Sequence, residues 1–519
     1  MKFLLPFYLA IFMVSLLDAQ DVPSKNKLSP CGTVAEKSEW LGNFQKRVPS
    51  QKKIVPDSQI LYVPLSVHLV SRDDGFGGFA EADALKALCT LNEDFEPSNI
   101  QFYLEGGFQY LPDSELFSHQ TVTDGGLKML EYNIDNTFNC YLVSSAAGNC
   151  GYNLPYAGVA NAFACLGPDD HTWAHEMGHG FTLPHPFLGW EGGVSVNNMV
   201  PHNYGNPAPD SVFYDYSDFQ DTLYLGAERI ITGTQVEKLD GSNCLDAADG
   251  FCDTAPDYLS GRWACNDDLI SPTVQTDPNG QKFQSDASLI MSYALDNCSS
   301  RFSGDQIEAM RANIAEEFPM WLSTVPPTAP ITDEFVYTGP IGGELVQFDD
   351  VTLAWESLGT DVMYKVEMSL FSDFSFTNYK DIVGENAITL NTLQNNKNYY
   401  WRVLAFNSNS FCVEVSPTQT FETGDLVAVH DLAHLGELQV YPNPLQQGSK
   451  IRVSWTTPLD TPLDVKIMDI HGREIVTQQR NLGIGSTHLA LELDEPAGIY
   501  ILSLISEDGG MHSVKLVVE

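Results

Sequence analysis

The chain has 519 residues, and its length and charge already exclude several classes of protein. Because domains usually contain about 100 to 200 residues, three or four domains are expected. The formal net charge is −41, from 68 acidic and 27 basic residues. Such an excess of negative charge repels phosphate backbones, so nucleic acid is excluded as a partner.

The N-terminus has the features of a cleaved export signal, to which we assign residues 1–19. Lys2 precedes an apolar run that ends at Leu17, and Ala19 supplies the small residue at which a signal peptidase cuts. The alternative is an uncleaved membrane anchor, but a span needs ~20 apolar residues and this run is shorter. We therefore expect a mature protein without a membrane span. Residues 20–57 are polar, basic and poor in core-forming residues, which predicts a propeptide or a linker.

The ten cysteines of this exported chain predict disulfide bonds. Cys31 stands alone near the start and Cys412 stands alone late in the chain. The other eight lie between them: Cys89, Cys140, Cys150, Cys165, Cys244, Cys252, Cys265 and Cys298. Eight cysteines allow about a hundred pairings, so the sequence predicts only that most of the eight are bridged with one another.

Residues 58–324 are predicted to form an α+β domain. Residues 60–70 have the pattern of a buried strand, and residues 100–111 have the pattern of another. Between them, residues 81–95 form an amphipathic helical pattern with leucines at positions 85, 88 and 91 on one side. The domain is expected to end at residue 324, because three prolines follow within six residues.

The remaining chain is predicted to form two all-β domains joined by a linker at residues 425–436. Residues 325–424 contain short alternating strands separated by turn residues, which is typical of a small β-sandwich. The stretch that contains Trp355, Tyr364 and residues 399–407 resembles a fibronectin type III domain. The role of such a module stays open, because these modules serve many functions.

Residues 437–519 also alternate between strands and turns, and they carry three short motifs. These are "YPNP" from Tyr441 to Pro444, "GIY" from Gly498 to Tyr500, and the final "KLVVE". The block resembles the C-terminal sorting domain that certain Gram-negative bacteria use for type IX secretion. The resemblance implies the secretion machinery as a partner and a secreted or cell-surface location. The alternative is an ordinary β-sandwich with a turn at Asn443.

The sequence "HEMGHGFTLPH" at residues 175–185 predicts a metal site. On a helix, His175 and His179 lie one above the other and can share one ion, while Glu176 lies beside that ion. Pro168 and the capping candidates Asp169 and Asp170 favour a helix that starts just before the motif.

The third ligand is predicted to be His185. A glutamate ligand would be expected some twenty residues after His179, whereas Glu191 comes too soon and the next glutamate is Glu228. Three protein ligands leave a fourth position open for water, as catalysis requires. His171 lies one turn before the motif, and we expect it to be solvated rather than a fourth ligand.

Thr182 lies where the chain must turn sharply to bring His185 back to the metal. Glycine would adopt a left-handed conformation there at no steric cost, whereas a β-branched residue is strained by roughly 1 to 3 kcal/mol. Gly180 supplies flexibility before the turn, and Pro184 and Pro186 favour an extended arm. A strained or re-routed turn is therefore expected.

The motif resembles that of the metzincin clan, H-E-x-x-H-x-x-G-x-x-H followed by a methionine turn. The stretches "GFCDTAPD" at 250–257 and "LIMSYALDNCSSRFSGDQIEAMR" at 289–311 resemble the pappalysin branch of that clan. The resemblance implies a metzincin-like α+β protease domain with a mixed sheet and an active-site helix. It implies that His175, His179 and His185 bind one zinc ion and that Glu176 is the general base.

The same resemblance gives roles to two residues of the methionine turn. Met291 would lie beneath the metal, although ordinary core packing explains a methionine equally well. Tyr293 would steady the transition state near the zinc. The departure from the family pattern is Thr182 in place of glycine.

The function expected from these residues is that of a secreted zinc metalloendopeptidase that acts on protein or peptide substrates. Zinc lowers the pKa of a bound water to about 7, and Glu176 takes a proton as water attacks the peptide carbonyl. The alternative is a surface adhesion or binding protein whose protease domain is inert.

Two further sites are hypotheses. Asp296 follows the methionine turn and would favour a basic residue after the cut bond, although it also suits a simple turn. The acidic residues at 246, 249, 253 and 257 could hold calcium or form a solvated loop. The resemblance to the pappalysin branch favours calcium, with Asp249, Asp253 and Thr254 as the best candidates.

Cys31 could keep the enzyme latent as a zymogen. A thiolate is a strong zinc ligand and could fill the open coordination position. The alternative is that Cys31 forms a disulfide, for which Cys89 is a candidate partner.

Overall fold

The computed structural model describes most of the chain from Lys25 onwards. The described residues are 25–33, 37–191, 194–195, 198–215, 231–322, 328–374, 377–412, 415–424, 438–458, 463–469, 473–476, 485–506 and 511–519. The predicted signal peptide, Glu228 and the predicted linker at 425–436 lie outside them. None of the described helices is long and apolar enough to cross a membrane.

The first region, residues 25–322, contains seven α-helices among its described residues. They are α1 (Glu39–Gln45), α2 (Pro49–Lys52), α3 (Glu81–Phe95), α4 (Ser114–Phe117), α5 (Val122–Tyr132), α6 (Thr172–Gly180) and α7 (Gly304–Glu317). A 3-10 turn at Pro319–Trp321 follows α7.

An eight-stranded mixed sheet lies at the centre of this region. Its strands are β1 (Ser29–Cys31), β2 (Leu61–Ser71), β3 (Ile100–Pro112), β4 (Ser118–His119), β5 (Phe138–Val143), β6 (Ser145–Ala146), β7 (Asn149–Leu154) and β8 (Gly158–Ala162). The order is β3-β2-β5-β8-β7-β6-β4, and β1 is added to β7. β7 runs antiparallel to β8, and β1 runs parallel to β7.

Six short strands are described between α6 and α7, and they pair as three two-stranded sheets. They are β9 (Val194–Ser195), β10 (Asn198–Pro201), β11 (Ser211–Asp215), β12 (Ile231–Gln235), β13 (Gln275–Thr276) and β14 (Lys282–Phe283).

The predicted strands and helix at the start of the region are confirmed. All residues of β2 are buried because the sheet is covered on both faces, which explains its continuous apolar run. Leu85, Leu88 and Leu91 of α3 are at most 1% exposed and belong to the main hydrophobic core. Burial of each such side chain stabilises the fold by about 1.5 to 3 kcal/mol.

Part of the segment predicted to be a propeptide or linker belongs to this core. Leu41 and Phe44 of α1 are 0% and 1% exposed and pack in the main core. Ser38 caps α1 by accepting a hydrogen bond from the amide of Leu41. Although the segment is poor in core-forming residues, two apolar residues three positions apart attach one helical turn of it to the core.

Four disulfide bonds are formed among the described cysteines: Cys89–Cys412, Cys150–Cys165, Cys244–Cys252 and Cys265–Cys298. Six of the eight clustered cysteines are therefore bridged with one another, which confirms that prediction. Cys89 is paired with Cys412, so the suggested bond between Cys31 and Cys89 was wrong. Cys31 and Cys140 are free thiols.

Residues 328–424 form two sheets with a shared apolar interior. The strands are β15 (Tyr337–Gly339), β16 (Glu344–Gln347), β17 (Val351–Trp355), β18 (Met363–Ser369), β19 (Thr377–Val383), β20 (Ala387–Leu390), β21 (Asn398–Phe406) and β22 (Gln419–Gly424). The sheet orders are β15-β17-β20 and β16-β22-β21-β18-β19. Trp355, Tyr364 and Trp401 lie in the interior and are at most 1% exposed.

This sandwich is joined to the first region. Lys365 forms an ion pair with Glu81 of α3, with 2.8 Å between Nζ and Oε2. The amide of Leu104 in β3 donates to the carbonyl of Ser408. Three apolar side chains of the sandwich are buried in the main core of the first region: Leu404, Phe406 and Phe411.

The C-terminal region also forms two sheets with an interior of their own. Its strands are β23 (Gln439–Tyr441), β24 (Ser449–Ser454), β25 (Leu463–Asp469), β26 (Glu474–Val476), β27 (His488–Leu493), β28 (Gly498–Ser506) and β29 (Met511–Val518). The orders are β23-β24-β27 and β26-β25-β28-β29. In β27, alternating residues are buried in the interior.

Candidate metal centre

Three histidine nitrogens converge on one point at the end of α6. The Nε2 atoms of His175, His179 and His185 are 3.0 to 3.2 Å apart. Ligands held about 2.0 to 2.1 Å from one tetrahedral zinc ion lie roughly 3.3 Å from one another. The arrangement therefore fits one zinc ion.

The opposite ring nitrogens fix the tautomers that a metal requires. Nδ1 of His175 donates to the carbonyl of Ile290 at 2.7 Å, and Nδ1 of His179 donates to the carbonyl of Leu183 at 2.7 Å. Because Nδ1 carries the proton, the lone pair of each Nε2 is free to bind the ion. Burial lowers the pKa of His175 to about 4, which keeps the ring neutral.

Glu191 supports the third histidine rather than replacing it. Its Oε1 lies 3.4 Å from Nδ1 of His185, and its Oε2 accepts a hydrogen bond from the amide of Gly189. The sequence analysis set Glu191 aside as a ligand and missed this contact with His185. A carboxylate six residues after a histidine ligand, in a glycine-containing turn, was the signal available.

Helix α6 begins just after the two predicted capping candidates, and its N-cap position is taken by His171 instead. Asp170 accepts a hydrogen bond from the amide of Thr172 at 3.0 Å, whereas Asp169 adopts a left-handed conformation just before it. Trp173 and Met177 are buried in the main core and anchor the helix against the sheet. The metal-facing side of α6 is thereby fixed.

Thr182 adopts the strained turn rather than a re-routed one. Its φ is 81°, in the left-handed region that favours glycine. The amide of Thr182 donates to His179, and the amide of Leu183 donates to Gly178 at 2.9 Å. The hydroxyl of Thr182 lies 2.6 Å from that of Ser38, so the β-branched residue gains a polar contact that glycine could not make.

Glu176 lies beside the histidines with 0% of its surface exposed. Its Oε2 accepts hydrogen bonds from the hydroxyl of Thr33 at 2.9 Å and from the thiol of Cys31 at 3.4 Å. Burial raises the pKa of Glu176 to about 8. A Cβ at Gly151 would lie 2.7 Å from Cγ of Glu176, so the strand must carry glycine here, a requirement that sequence reasoning missed.

Cys31 occupies the fourth side of the cluster. Its sulfur and the three histidine nitrogens all lie within 4.8 Å of one another. Strand β1 holds it there, because Ser29 pairs with Asn149 and Cys31 pairs with Gly151 of β7. The four side chains form the donor set of a tetrahedral metal site with one sulfur and three nitrogens.

Met291 and Tyr293 both lie at the cluster. Met291 is fully buried under α6, and a Cβ at Gly178 would lie 2.4 Å from its sulfur. The ring of Tyr293 is 4.9 Å from that of His185 and 5.8 Å from that of His175. Burial raises the pKa of Tyr293 well above its usual value, so its hydroxyl stays protonated.

Asp296 lines a small cavity of about 40 Å³ on the Tyr293 side of the cluster, together with His175 and Pro30. Lys25 reaches into this area. Its Nζ is 2.6 Å from Oδ2 of Asp296 and also contacts Asp170.

His171 lies next to this cavity without being a metal ligand or a solvated residue. Its Nδ1 lies 2.8 Å from the carboxylate of Asp94, and its side chain is 16% exposed. The expectation of a solvated histidine was wrong, because α3 presents a carboxylate at the start of α6. Although burial opposes the charged ring, the hydrogen bond and charge of Asp94 raise the pKa of His171.

The three calcium candidates are only partly brought together. The hydroxyl of Thr254 donates to both oxygens of Asp249 at 3.2 Å. Asp253 instead accepts hydrogen bonds from the hydroxyl of Ser303 and the amide of Asp305 at the start of α7. The use of Asp253 as a helix cap corrects the idea of a single cluster of three.

A different carboxylate lies near Asp249. Glu237 is 3% exposed, and its Oε2 has no hydrogen-bond partner among the described residues. Lys37 lies near both carboxylates. Burial lowers the pKa of Lys37, and the negative charges of Asp249 and Glu237 partly oppose that change. Sequence reasoning missed Glu237 because it lies twelve residues before Asp249 with no shared motif.

The C-terminal region matches a known family. Residues 439–519 match the family model of the secretion system C-terminal sorting domain. The chain is a secreted or cell-surface protein. The type IX sorting domain implies contact with the secretion machinery, as expected from the "YPNP" and "GIY" motifs.

Comparison with solved structures gives distant likenesses. A mutant form of promirolysin from Tannerella forsythia is 17% identical with a TM-score of 0.33, over 56% of this chain and 95% of that chain. Fibronectin(III)-like modules of CbhA from Clostridium thermocellum are 13% identical with a TM-score of 0.16, over 36% of this chain and 94% of that chain. No curated protein matches the sequence. The biochemical function is therefore inferred from the residues of the site itself.

Proposed function

We propose that the protein is a secreted zinc-dependent metalloendopeptidase with a metzincin-like, pappalysin-type catalytic domain. The observation that carries this proposal is the convergence of three histidine Nε2 atoms within 3.0 to 3.2 Å of one another, with a buried glutamate beside them. A purely structural zinc site needs no adjacent free carboxylate. A hydrolytic site does.

The roles of the residues follow from their positions. His175, His179 and His185 would hold zinc, which when bound lowers the pKa of a water molecule to about 7. Glu176 accepts a proton from the attacking water and returns it to the leaving amine. The hydroxyl of Tyr293, held in its protonated form by burial, donates a hydrogen bond to the oxyanion.

The described form corresponds to a latent precursor. Cys31 fills the side of the cluster at which water must bind, and Cys31 and Thr33 both hydrogen-bond to Glu176. These contacts support a propeptide rather than a linker for this segment. In the precursor, Cys31→Ala should raise hydrolysis about tenfold or more, since a side chain that blocks the metal would be lost. Cys31→Ala precursor that stays as inactive as the wild type would exclude the latency role.

Asp296 is proposed to select a basic residue directly after the cut bond. The ion pair between Lys25 and Asp296 supports this, because the precursor's own chain provides a cation to that carboxylate. Cleavage-site mapping in a peptide library should give arginine or lysine at this position, and Asp296→Asn should weaken the preference. A preference for large apolar residues in the wild type would reject the idea.

Calcium binding stays a prediction. The side chains of Asp249 and Thr254 are hydrogen-bonded to each other, and Glu237 has a buried carboxylate oxygen with no hydrogen-bond partner among the described residues. Hard oxygen donors of this kind suit calcium. Calcium should raise the melting temperature of the mature protein, and Asp249→Asn should remove that increase. An equal increase in both proteins would place any calcium effect elsewhere.

The decisive experiment is the hydrolysis of an unfolded protein substrate by the mature form. Wild type should be active, should lose activity when zinc is removed by a chelator, and should recover when zinc is restored. Glu176→Gln, which keeps the shape of the side chain, should reduce kcat by more than about a hundredfold because the base is removed. If the wild type does not cleave the substrate, or if Glu176→Gln cleaves it equally well, the alternative of an inert adhesion or binding protein is favoured.

A further inference from the structure

A second and much larger groove opens on the other side of the histidines from Asp296. Its volume is about 380 Å³, and His179 and Thr182 form the wall nearest to the metal site. Asn153 and Tyr156, at the end of β7 and the turn after it, form the upper rim. Phe318 and Trp321, which follow α7, also line the groove.

One part of the groove is lined by aromatic rings. Phe318 and Trp321 stack with their ring centroids 4.1 Å apart and 5° between their planes. The ring of Phe138 in β5 packs edge-on against Trp321 at 5.6 Å. Tyr156 projects at the rim and is 93% exposed. Flat, partly exposed aromatic surfaces next to a catalytic centre are suited to apolar or aromatic side chains.

Described residues of the N-terminal segment lie at both pockets and at the histidines, in chain order. Lys25 and Pro30 lie at the Asp296 cavity, and Cys31 lies at the histidines. Thr33 then accepts a hydrogen bond from the amide of Asn153, at 2.8 Å. The next described residues of the segment at a pocket, Ser38 and Trp40, line the large groove.

Two residues from the N-terminal segment, Ser38 and Trp40, lie at the edge of the groove. Ser38 lies 2.6 Å from the hydroxyl of Thr182, and Trp40 lines the groove while its Nε1 donates to Glu316 at 2.9 Å. The precursor therefore presents an indole ring at this position. In chain order, the residue at the metal site lies between the residues at the two pockets.

We propose that this groove is a substrate subsite that binds an aromatic or large aliphatic side chain within the three residues before the cut bond. The inference rests on the proposed peptidase function. If the Asp296 pocket receives the residue after the cut bond, a groove on the opposite side of the metal must receive residues before it. Trp40 shows that an aromatic side chain can lie at this edge.

The test compares matched peptides hydrolysed by the mature protein. All peptides share arginine directly after the intended cut bond, and each of the three positions before it carries phenylalanine, leucine, alanine or aspartate in turn. At one of these positions, phenylalanine or leucine should exceed alanine by roughly tenfold or more in kcat/KM, since a well-filled apolar pocket discriminates on this scale. Aspartate should be the poorest residue at the same position.

Two variants assign the preference to the groove. Trp321→Ala removes an indole ring that lines the groove and should reduce the phenylalanine-to-alanine ratio of kcat/KM to about threefold or less. Tyr156→Asn removes a ring that is 93% exposed and keeps a residue that tolerates the positive φ of 69°. It should give a smaller reduction, and it remains informative if Trp321→Ala does not fold.

Phe76→Ala is the matched control, because Phe76 is an exposed aromatic residue that lines neither pocket. Its selectivity should equal that of wild type. Hydrolysis of all peptides at equal rates, or a preference that Trp321→Ala and Tyr156→Asn both leave unchanged, would overturn the subsite while the peptidase function stood. Hydrolysis of none of them would instead contradict the peptidase function itself.

Discussion

The two all-β regions differ in how they are attached to the rest of the protein. Residues 328–424 bury Leu404, Phe406 and Phe411 in the main core of the first region and carry a disulfide and an ion pair to α3. The apolar core of the C-terminal region consists, among the described residues, only of side chains from 438 to 518. The sandwich therefore shares a core with the first region, whereas the sorting domain has a core of its own.

This difference suits the two regions to different roles. A sorting signal must be recognised by the secretion machinery, so its surface should not be used for packing against the other regions. A module that shares a core with α3 and β3 stabilises the region that contains the histidine cluster. Sequence likeness to a common class of β-sandwich gives no information on this distinction.

The largest effect is expected from deletion of whole regions. A chain without residues 438–519 should fail to reach the medium or the cell surface, and immunoblotting of these fractions should detect it only inside the cell. The remaining regions, residues 25–424, should melt at the wild-type temperature.

Deletion of residues 328–519 should in addition destabilise the first region by at least about 4 kcal/mol, since three buried apolar contacts are lost. Equal stability of the two truncated chains would contradict the comparison.

The next largest effect is expected at the ion pair between Lys365 and Glu81. Lys365 is 3% exposed and Glu81 is 18% exposed. Glu81→Ala leaves a buried ammonium without a partner and should cost about 3 to 5 kcal/mol of unfolding free energy. Lys365→Met should cost less, because water can still reach the remaining carboxylate.

Chemical denaturation of both variants measures this difference. Lys53→Ala is the control, since its ion pair with Asp57 is exposed, with 64% and 77% of the two side chains accessible. The control should change stability by less than about 1 kcal/mol. A Glu81→Ala variant no less stable than Lys53→Ala would show that the interface contributes little.

A smaller effect is expected from the disulfide between the regions. The double variant Cys89→Ser with Cys412→Ser removes a bond that joins residues 323 positions apart. Loss of such a cross-link should cost about 2 to 4 kcal/mol, chiefly through the entropy of the unfolded chain. Thermal unfolding of the oxidised wild type and the double variant measures the cost. The variant with Cys244→Ser and Cys252→Ser, which opens a loop of 8 residues, should lose less.

The smallest effect is expected from pH. Although burial opposes ionisation of Glu81, the hydrogen bond and charge of Lys365 lower its pKa below the usual value. A carboxylate with a lowered pKa stabilises the fold above its unfolded pKa of about 4.3, and this stability is lost as the pH falls through the folded pKa. The stability difference between wild type and Glu81→Gln should therefore be constant at neutral pH and should shrink below about pH 4. A difference that grows on acidification would contradict this.

The sequence by itself determined the features that depend on local periodicity and spacing. The apolar run of β2, the leucine spacing of α3 and the i, i+4 histidines of α6 each fixed a local structure, because neighbouring residues alone decide which side chains share a face. Thr182 was recognised as a strained position for the same reason. The sorting domain was recognised from three short motifs, one at a turn and two in the last strands.

Only the tertiary structure decided which distant residues meet. It brought Cys31 to the histidines, paired Cys89 with Cys412, and turned Glu191 towards His185. It also assembled an aromatic groove from segments that lie far apart in the chain. Such contacts depend on how whole helices, strands and domains pack against one another. The spacing of residues within one segment does not determine that packing.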